Sequence, residues 1–138
     1  MKKVTGIGGI FFKCKDSKKT MEWYSKHLGF KTDEYGSSFV WDRTDAPGKK
    51  GFTLWAPFKE STEYFKPSEK DFMINFRVEN LDELVKSLKK EGVKFLDEIE
   101  KFEYGKFVHI LDPDGVKIEL WEPDDVSYEK MVGDKKMF

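Results

Sequence analysis

His109 and Glu119, two residues able to exchange a proton, flank the tetrapeptide Asp112-Pro113-Asp114-Gly115. That tetrapeptide is a strong turn signal, and the alternating runs 107–111 and 116–121 on either side read as strands of a hairpin. The hairpin brings the two side chains face to face. A carboxylate raises the pKa of a neighbouring imidazole and fixes its tautomer, which suits the pair to acid–base chemistry. The same contact equally serves as a structural hydrogen bond between strands.

Strand parity places further side chains beside them. In the run 72–78, Phe72, Ile74, Phe76 and Val78 form one face, leaving Met73, Asn75 and Arg77 on the other. By the same rule Lys117, Glu119 and Trp121 share a face, as do Phe107 and His109. The first half of the chain is expected to add Gly9, Phe11, Phe39, Trp41, Thr53 and Trp55 to this inner surface. Three of the four tryptophans then meet on one surface with an acid, a histidine and an arginine. Aromatic walls with a few convergent polar groups are how small-molecule pockets are built. Tryptophan faces hold planar or cationic ligands by about 0.5–2 kcal/mol per contact. Phe11, Trp41, Trp55, Met73, Asn75, Arg77, Phe107 and Trp121 are therefore the candidate ligand-binding residues, with Arg77 able to fork onto a ligand carboxylate or phosphate. The alternative is that the aromatics fill the interior as core and Arg77 pairs with Glu119. His27, in the last turn of a helix, and Cys14, with no base near it, read as structural.

The elements that position these residues occur twice. A strand at 6–12 precedes a helix that starts at Asp16 or Ser17, carries Met21, Trp23, Tyr24 and Leu28, and stops at Gly29. The strand at 72–78 precedes a helix capped by Asn80, with Leu81, Leu84, Val85 and Leu88 on one stripe and Gly92 at its end. Short strands follow each helix, at 39–42 and 52–55 and again at 107–111 and 116–121. Even the endings echo: Phe52-Thr53-Leu54-Trp55-Ala56-Pro57 against Ile118-Glu119-Leu120-Trp121-Glu122-Pro123. The chain therefore reads as an α+β fold of two modules of strand, helix and two or three strands, about 1–58 and 70–123, joined by a polar linker at 59–69. Neither module buries both sheet faces alone, so they pair into one domain over 1–123. Residues 124–138 are an extension outside the repeat.

Composition sets limits on function. The 25 basic and 26 acidic residues nearly cancel, so there is no electrostatic case for nucleic acid or an anionic membrane as partner. No apolar run reaches the ~18 residues of a membrane span, and the run 7–12 is too short for a signal-peptide core. A single cysteine, Cys14, excludes an internal disulfide and suits a reducing compartment, so a cytoplasmic protein is expected.

Two blocks carry a family resemblance: Phe11 to Asp16 running into Trp23-Tyr24-Ser25-Lys26-His27-Leu28-Gly29-Phe30, and Asp112-Pro113-Asp114-Gly115-Val116-Lys117-Ile118-Glu119-Leu120-Trp121. Over residues 5–123 the chain resembles the vicinal oxygen chelate superfamily, the glyoxalase, bleomycin-resistance and extradiol-dioxygenase group. The resemblance implies three strands after each helix, paired βαβββ modules whose curved mixed sheet forms a cup, with the site inside and helices outside, and commonly a homodimer. It also places His109 in the cup, where extradiol dioxygenases carry an active-site tyrosine. Metal-dependent members hold an ion with four inward side chains. Carried onto this sequence, those positions are Gly9, Thr53, Met73 and Glu119, of which only Glu119 is a strong ligand for a hard divalent ion.

The sequence thus leads to a metal-independent, cofactor-free binding protein of the glyoxalase/bleomycin-resistance type, holding a small aromatic or amphipathic molecule in its cup. The alternative is a glyoxalase-like lyase or isomerase using His109 and Glu119, with or without a metal.

Overall fold

The computed structural model describes residues 2–138. In the first module β1 (Val4–Cys14) leads through α1 (Ser17–Leu28) to β2 (Ser37–Asp42) and β3 (Lys50–Lys59). In the second, β4 (Phe72–Val78) leads through α2 (Leu81–Lys90) to β5 (Glu100–Phe102), β6 (Gly105–Leu111) and β7 (Lys117–Pro123). The chain ends in α3 (Asp125–Val132) and β8 (Lys136–Met137). All these strands join one curved mixed sheet in the order β5-β6-β7-β4-β1-β3-β2-β8. Within each module the first strand pairs in parallel with the last, β1 with β3 and β4 with β7. The modules meet where β1 runs antiparallel to β4, with Ile10 opposite Ile74. The α+β, two-module architecture expected from the repeat is observed, but the first module has two strands rather than three after α1, and β8 from the extension stands beside β2.

The helices form where their caps and apolar stripes dictate. Asp16 accepts from the Lys19 N–H at the start of α1, and Gly29 takes φ +70° at its end, a conformation glycine adopts without a steric penalty. Asn80 caps α2 in the same way. α2 buries Leu81, Leu84 and Val85 against Val78, Val108, Ile110 and Leu120, each such side chain contributing roughly 1.5–3 kcal/mol. α1 sits on the same side of the sheet over β3, where Tyr24 and Phe30 pack on Trp55 with ring centroids 4.4 and 4.9 Å apart.

Two segments outside the repeat shape the other, concave side. From 59–69, Phe65 is fully buried among Phe11, Ala56 and Met73. From 124–138, α3 lays Tyr128 and Val132 on Phe52 and Trp121, and β8 adds to the sheet beside β2. Tyr128 and Ser38 hydroxyls hydrogen-bond at 2.7 Å. The two repeat helices lie outside the cup as expected, but α3 closes one end of it from within. Among the described residues no helix is long and apolar enough to cross a membrane.

Candidate functional site

The paired registers set a row of residues across the middle of the sheet: Leu54, Gly9, Asn75, Glu119 and His109, one from each of β3, β1, β4, β7 and β6. A shift in register between Ile7 and Gly9 puts a bulge in β1 at Gly8. A Cβ on Gly8 would stand 2.2 Å from Asn75 Oδ1 and 2.9 Å from Trp121 Cε3, so glycine is what lets those two side chains lie across β1. Over this row the concave face holds a cavity of about 580 Å³, within the usual range of small-molecule sites.

One end of the cavity is a polar network centred on Glu119. Asn75 Nδ2 donates to Glu119 Oε1 at 2.7 Å. His109 Nε2 lies 2.7 Å from Oε2, and the Tyr64 hydroxyl donates to the same oxygen. On its far side His109 Nδ1 lies 2.7 Å from Asp97 Oδ2, while Asp97 Oδ1 accepts from the His109 backbone N–H at 2.8 Å. Both ring nitrogens face carboxylates, the arrangement of an imidazolium. Burial alone would push the His109 pKa down, but hydrogen bonds and charge from Glu119 and Asp97 outweigh it and hold it above its ordinary value. Burial, reinforced by the Glu119 charge, pushes the Tyr64 hydroxyl well up, so it stays a proton donor. Lys117 donates to the Tyr64 carbonyl at 2.6 Å. The rest of the cavity is mostly apolar and aromatic, with Phe11, Leu54, Ala56 and Phe58 on one wall and Phe102, Tyr104, Phe107 and Trp121 on the other, and Tyr35 and Glu100 also in the lining. Phe107 and Trp121 stack nearly parallel, with centroids 5.7 Å apart.

Of the residues expected at the site, His109, Glu119, Asn75, Phe11, Phe107 and Trp121 line this cavity. Met73 faces inward but lies beneath the lining, packed with Phe11 and Phe65. Arg77 also faces inward, yet it is walled off. Its guanidinium stands over Trp41 and Trp121, 5.3 and 5.6 Å from the ring centroids, and forks onto Asp125 of α3 at 2.8 and 2.6 Å. It pairs neither with Glu119 nor with open space. Trp55 is on the opposite face, against α1, and Phe39 joins it there through Phe30. Trp41 lies outside the cavity lining, its ring over the Gly51 position and its Nε1 donating to Thr53 Oγ1 at 2.9 Å. The inward residues of β2 and β3 are instead Ser38, Val40, Phe52, Leu54 and Ala56.

The inversion has a physical cause. Both alternating sets of β3, Phe52-Leu54-Ala56-Phe58 and Thr53-Trp55-Pro57, lack charge, so composition does not orient the strand. The Tyr24 and Phe30 rings decide it by taking Trp55, and pairing of Phe39 with Thr53 passes the choice to β2. Sequence reasoning misses Tyr64 and Asp97. Both come from segments between strands, where no periodicity points a side chain inward.

A divalent metal does not fit the donors present. At the positions the resemblance assigns, Gly9 has no side chain, Met73 is fully buried, and Thr53 Oγ1 donates to the Ile7 carbonyl away from the cavity. Leu54 occupies the β3 place in the Glu119 row. Among the described residues no group of three or more His, Cys, Asp and Glu side chains is placed to hold a metal ion, where a catalytic zinc normally needs three protein ligands. The ligating side chains that do line the cavity, Asp97, His109 and Glu119, are engaged with one another.

The family model for the Glyoxalase/Bleomycin resistance protein/Dioxygenase superfamily matches residues 6–120, and the chain belongs to that superfamily. No curated protein matches the chain. Among solved structures, methylmalonyl-CoA epimerase from Mycobacterium tuberculosis is similar, with TM-score 0.57 and 23% identity over 89% of this chain and 91% of the epimerase. A single-residue variant of Streptomyces coelicolor methylmalonyl-CoA epimerase, in complex with 2-nitronate-propionyl-CoA, gives TM-score 0.61 and 21% identity over 88% and 99%. A Legionella pneumophila protein described as NAD-dependent benzaldehyde dehydrogenase gives 0.54 and 14% over 84% and 98%. At these identities the likeness is one of fold.

Proposed function

We propose that this protein is a metal-independent binder of a small aromatic or amphipathic molecule, held in the cavity between the Phe58 and Phe107 walls. The observation that carries this reading is the state of Glu119. Asn75 occupies one of its oxygens, and His109 and Tyr64 occupy the other. A carboxylate so engaged is a poor metal ligand, because chelation would break charge-assisted bonds already made. It is a poor general base for the same reason. The cavity supplies what a binder needs: apolar walls for area and a fixed polar end for orientation. The test is a thermal-shift and fluorescence titration with planar aromatic compounds, repeated on Phe107→Ala. The reading expects saturable binding that weakens in the variant; no binding by any compound, or binding indifferent to Phe107, overturns it.

The 2.7 Å contact between His109 and Glu119 favours a second reading, a lyase or isomerase that moves a proton through this pair. The fold it shares with the epimerases agrees with that reading. Exchange of a substrate C–H with deuterated water, lost in Glu119→Gln, would select it over the binder. A homodimer is part of the same proposal. Ile7, Ile10 and Phe72 are exposed on the helix side of β1 and β4, and apolar surface of this kind favours a second copy. Sedimentation equilibrium tests it: a monomer at micromolar concentration removes this element.

A further inference from the structure

Four side chains that carry charge are buried: Arg77, His109, Lys117 and Glu119. Three of them have partners of opposite charge. Arg77 has Asp125, His109 has Asp97 and Glu119, and Glu119 has His109. Lys117 is 8% exposed and forms no ion pair among the described residues. Among those residues its Nζ meets only the Tyr64 carbonyl, at 2.6 Å, and the face of the Tyr64 ring, 5.0 Å from the centroid. An unpaired buried ammonium is expensive, and proteins ordinarily pair such groups or leave them in water. Asp97 and Glu119 also line the cavity, but neither forms an ion pair with Lys117. Those two carboxylates are themselves committed to His109.

Lys117 lines the cavity. An ammonium has three N–H donors, and the Tyr64 carbonyl takes one, so two remain for a guest. We propose that the cavity takes a planar aromatic carboxylate, its anionic group docked on Lys117 and its ring between the aromatic walls. This rests on the binding function proposed above and narrows it to anions. The guest supplies the charge partner that Lys117 lacks among the described residues, and the neighbouring apolar walls remove the water that would otherwise screen the contact. A neutral ligand of the same shape can accept a hydrogen bond from Lys117 but brings no opposite charge.

Calorimetric titration with 2-naphthoate and with 2-naphthamide, which match in shape and differ in charge, tests the assignment on the full chain and on Lys117→Met. The full chain is expected to bind naphthoate at least about tenfold more tightly than the amide, since only the carboxylate brings an opposite charge to the ammonium. In Lys117→Met the two ligands become equal. Equal affinities in the full chain, or a preference that survives Lys117→Met, overturns the anion assignment while leaving the binding function standing. Failure of both ligands to bind overturns the binding function and this inference with it. Lys117→Met is expected to melt no lower than the parent, because it removes an unpaired buried charge. Should it fail to fold, Lys117→Gln keeps a polar head without the charge and carries the same comparison.

Discussion

Removal of one carboxylate from α3 is expected to destabilise the whole cup. Arg77 is 1% exposed, and among the described residues its side-chain hydrogen bonds run only from Nη1 and Nη2 to Asp125. Its Nε already has no partner among them. Asp125→Ala therefore leaves a complete guanidinium charge between Trp41 and Trp121 with no anion. Arg43, which also reaches Asp125 at 3.3 Å, keeps its two bonds to Asp45 and is not stranded. Orphaning one member of a buried pair costs about 3–5 kcal/mol, and for a chain of this length that lowers Tm by roughly 10–15 °C. Urea unfolding of Asp125→Ala, Arg77→Met and the double variant measures it. The double variant should recover much of the loss, because a well-packed apolar side chain replaces the stranded charge. An Asp125→Ala protein within about 1 kcal/mol of the parent, or a double variant as unstable as Asp125→Ala, would show that α3 is not fastened through this pair.

Two further outcomes follow from the site. His109 has a folded-state pKa above its unfolded value. Its contribution to stability is therefore complete below about pH 6.5 and is lost as pH rises through the folded value. Urea midpoints between pH 5 and 9 should fall across that window in the parent and stay flatter in His109→Gln; parallel profiles would contradict the Asp97–His109–Glu119 arrangement. Trp55→Ala should cost about 3 kcal/mol by stripping the aromatic packing of α1 while leaving ligand affinity within twofold, since Trp55 lies on the opposite face of the sheet; a large loss of affinity would return Trp55 to the cup.

The second module is legible in the sequence because its strands announce their own orientation. Asn75, Arg77, Lys117 and Glu119 alternate with Ile74, Phe76, Ile118 and Leu120, so only one register buries the apolar set. The Asp112-Pro113-Asp114-Gly115 turn then fixes His109 opposite Glu119. β3 offers no such contrast, and parity alone puts Trp55 on the wrong face for that reason. Arg77 is inward as parity predicts, but its partner comes from α3, a segment outside the repeat that packs Tyr128 against Ser38, Phe52 and Trp121. Tyr64 and Asp97 illustrate the same limit. They reach the site from connecting segments with no periodicity to orient them, Asp97 from within the second module and Tyr64 from the linker.

The most direct test of the account is ligand binding by metal-stripped protein. Protein dialysed against EDTA should bind an aromatic ligand as tightly as untreated protein, and added Zn²⁺, Ni²⁺ or Mn²⁺ should change neither the affinity nor Tm. Loss of binding on stripping, restored by one equivalent of a divalent ion, would contradict a cup in which Asn75, His109 and Tyr64 already satisfy Glu119.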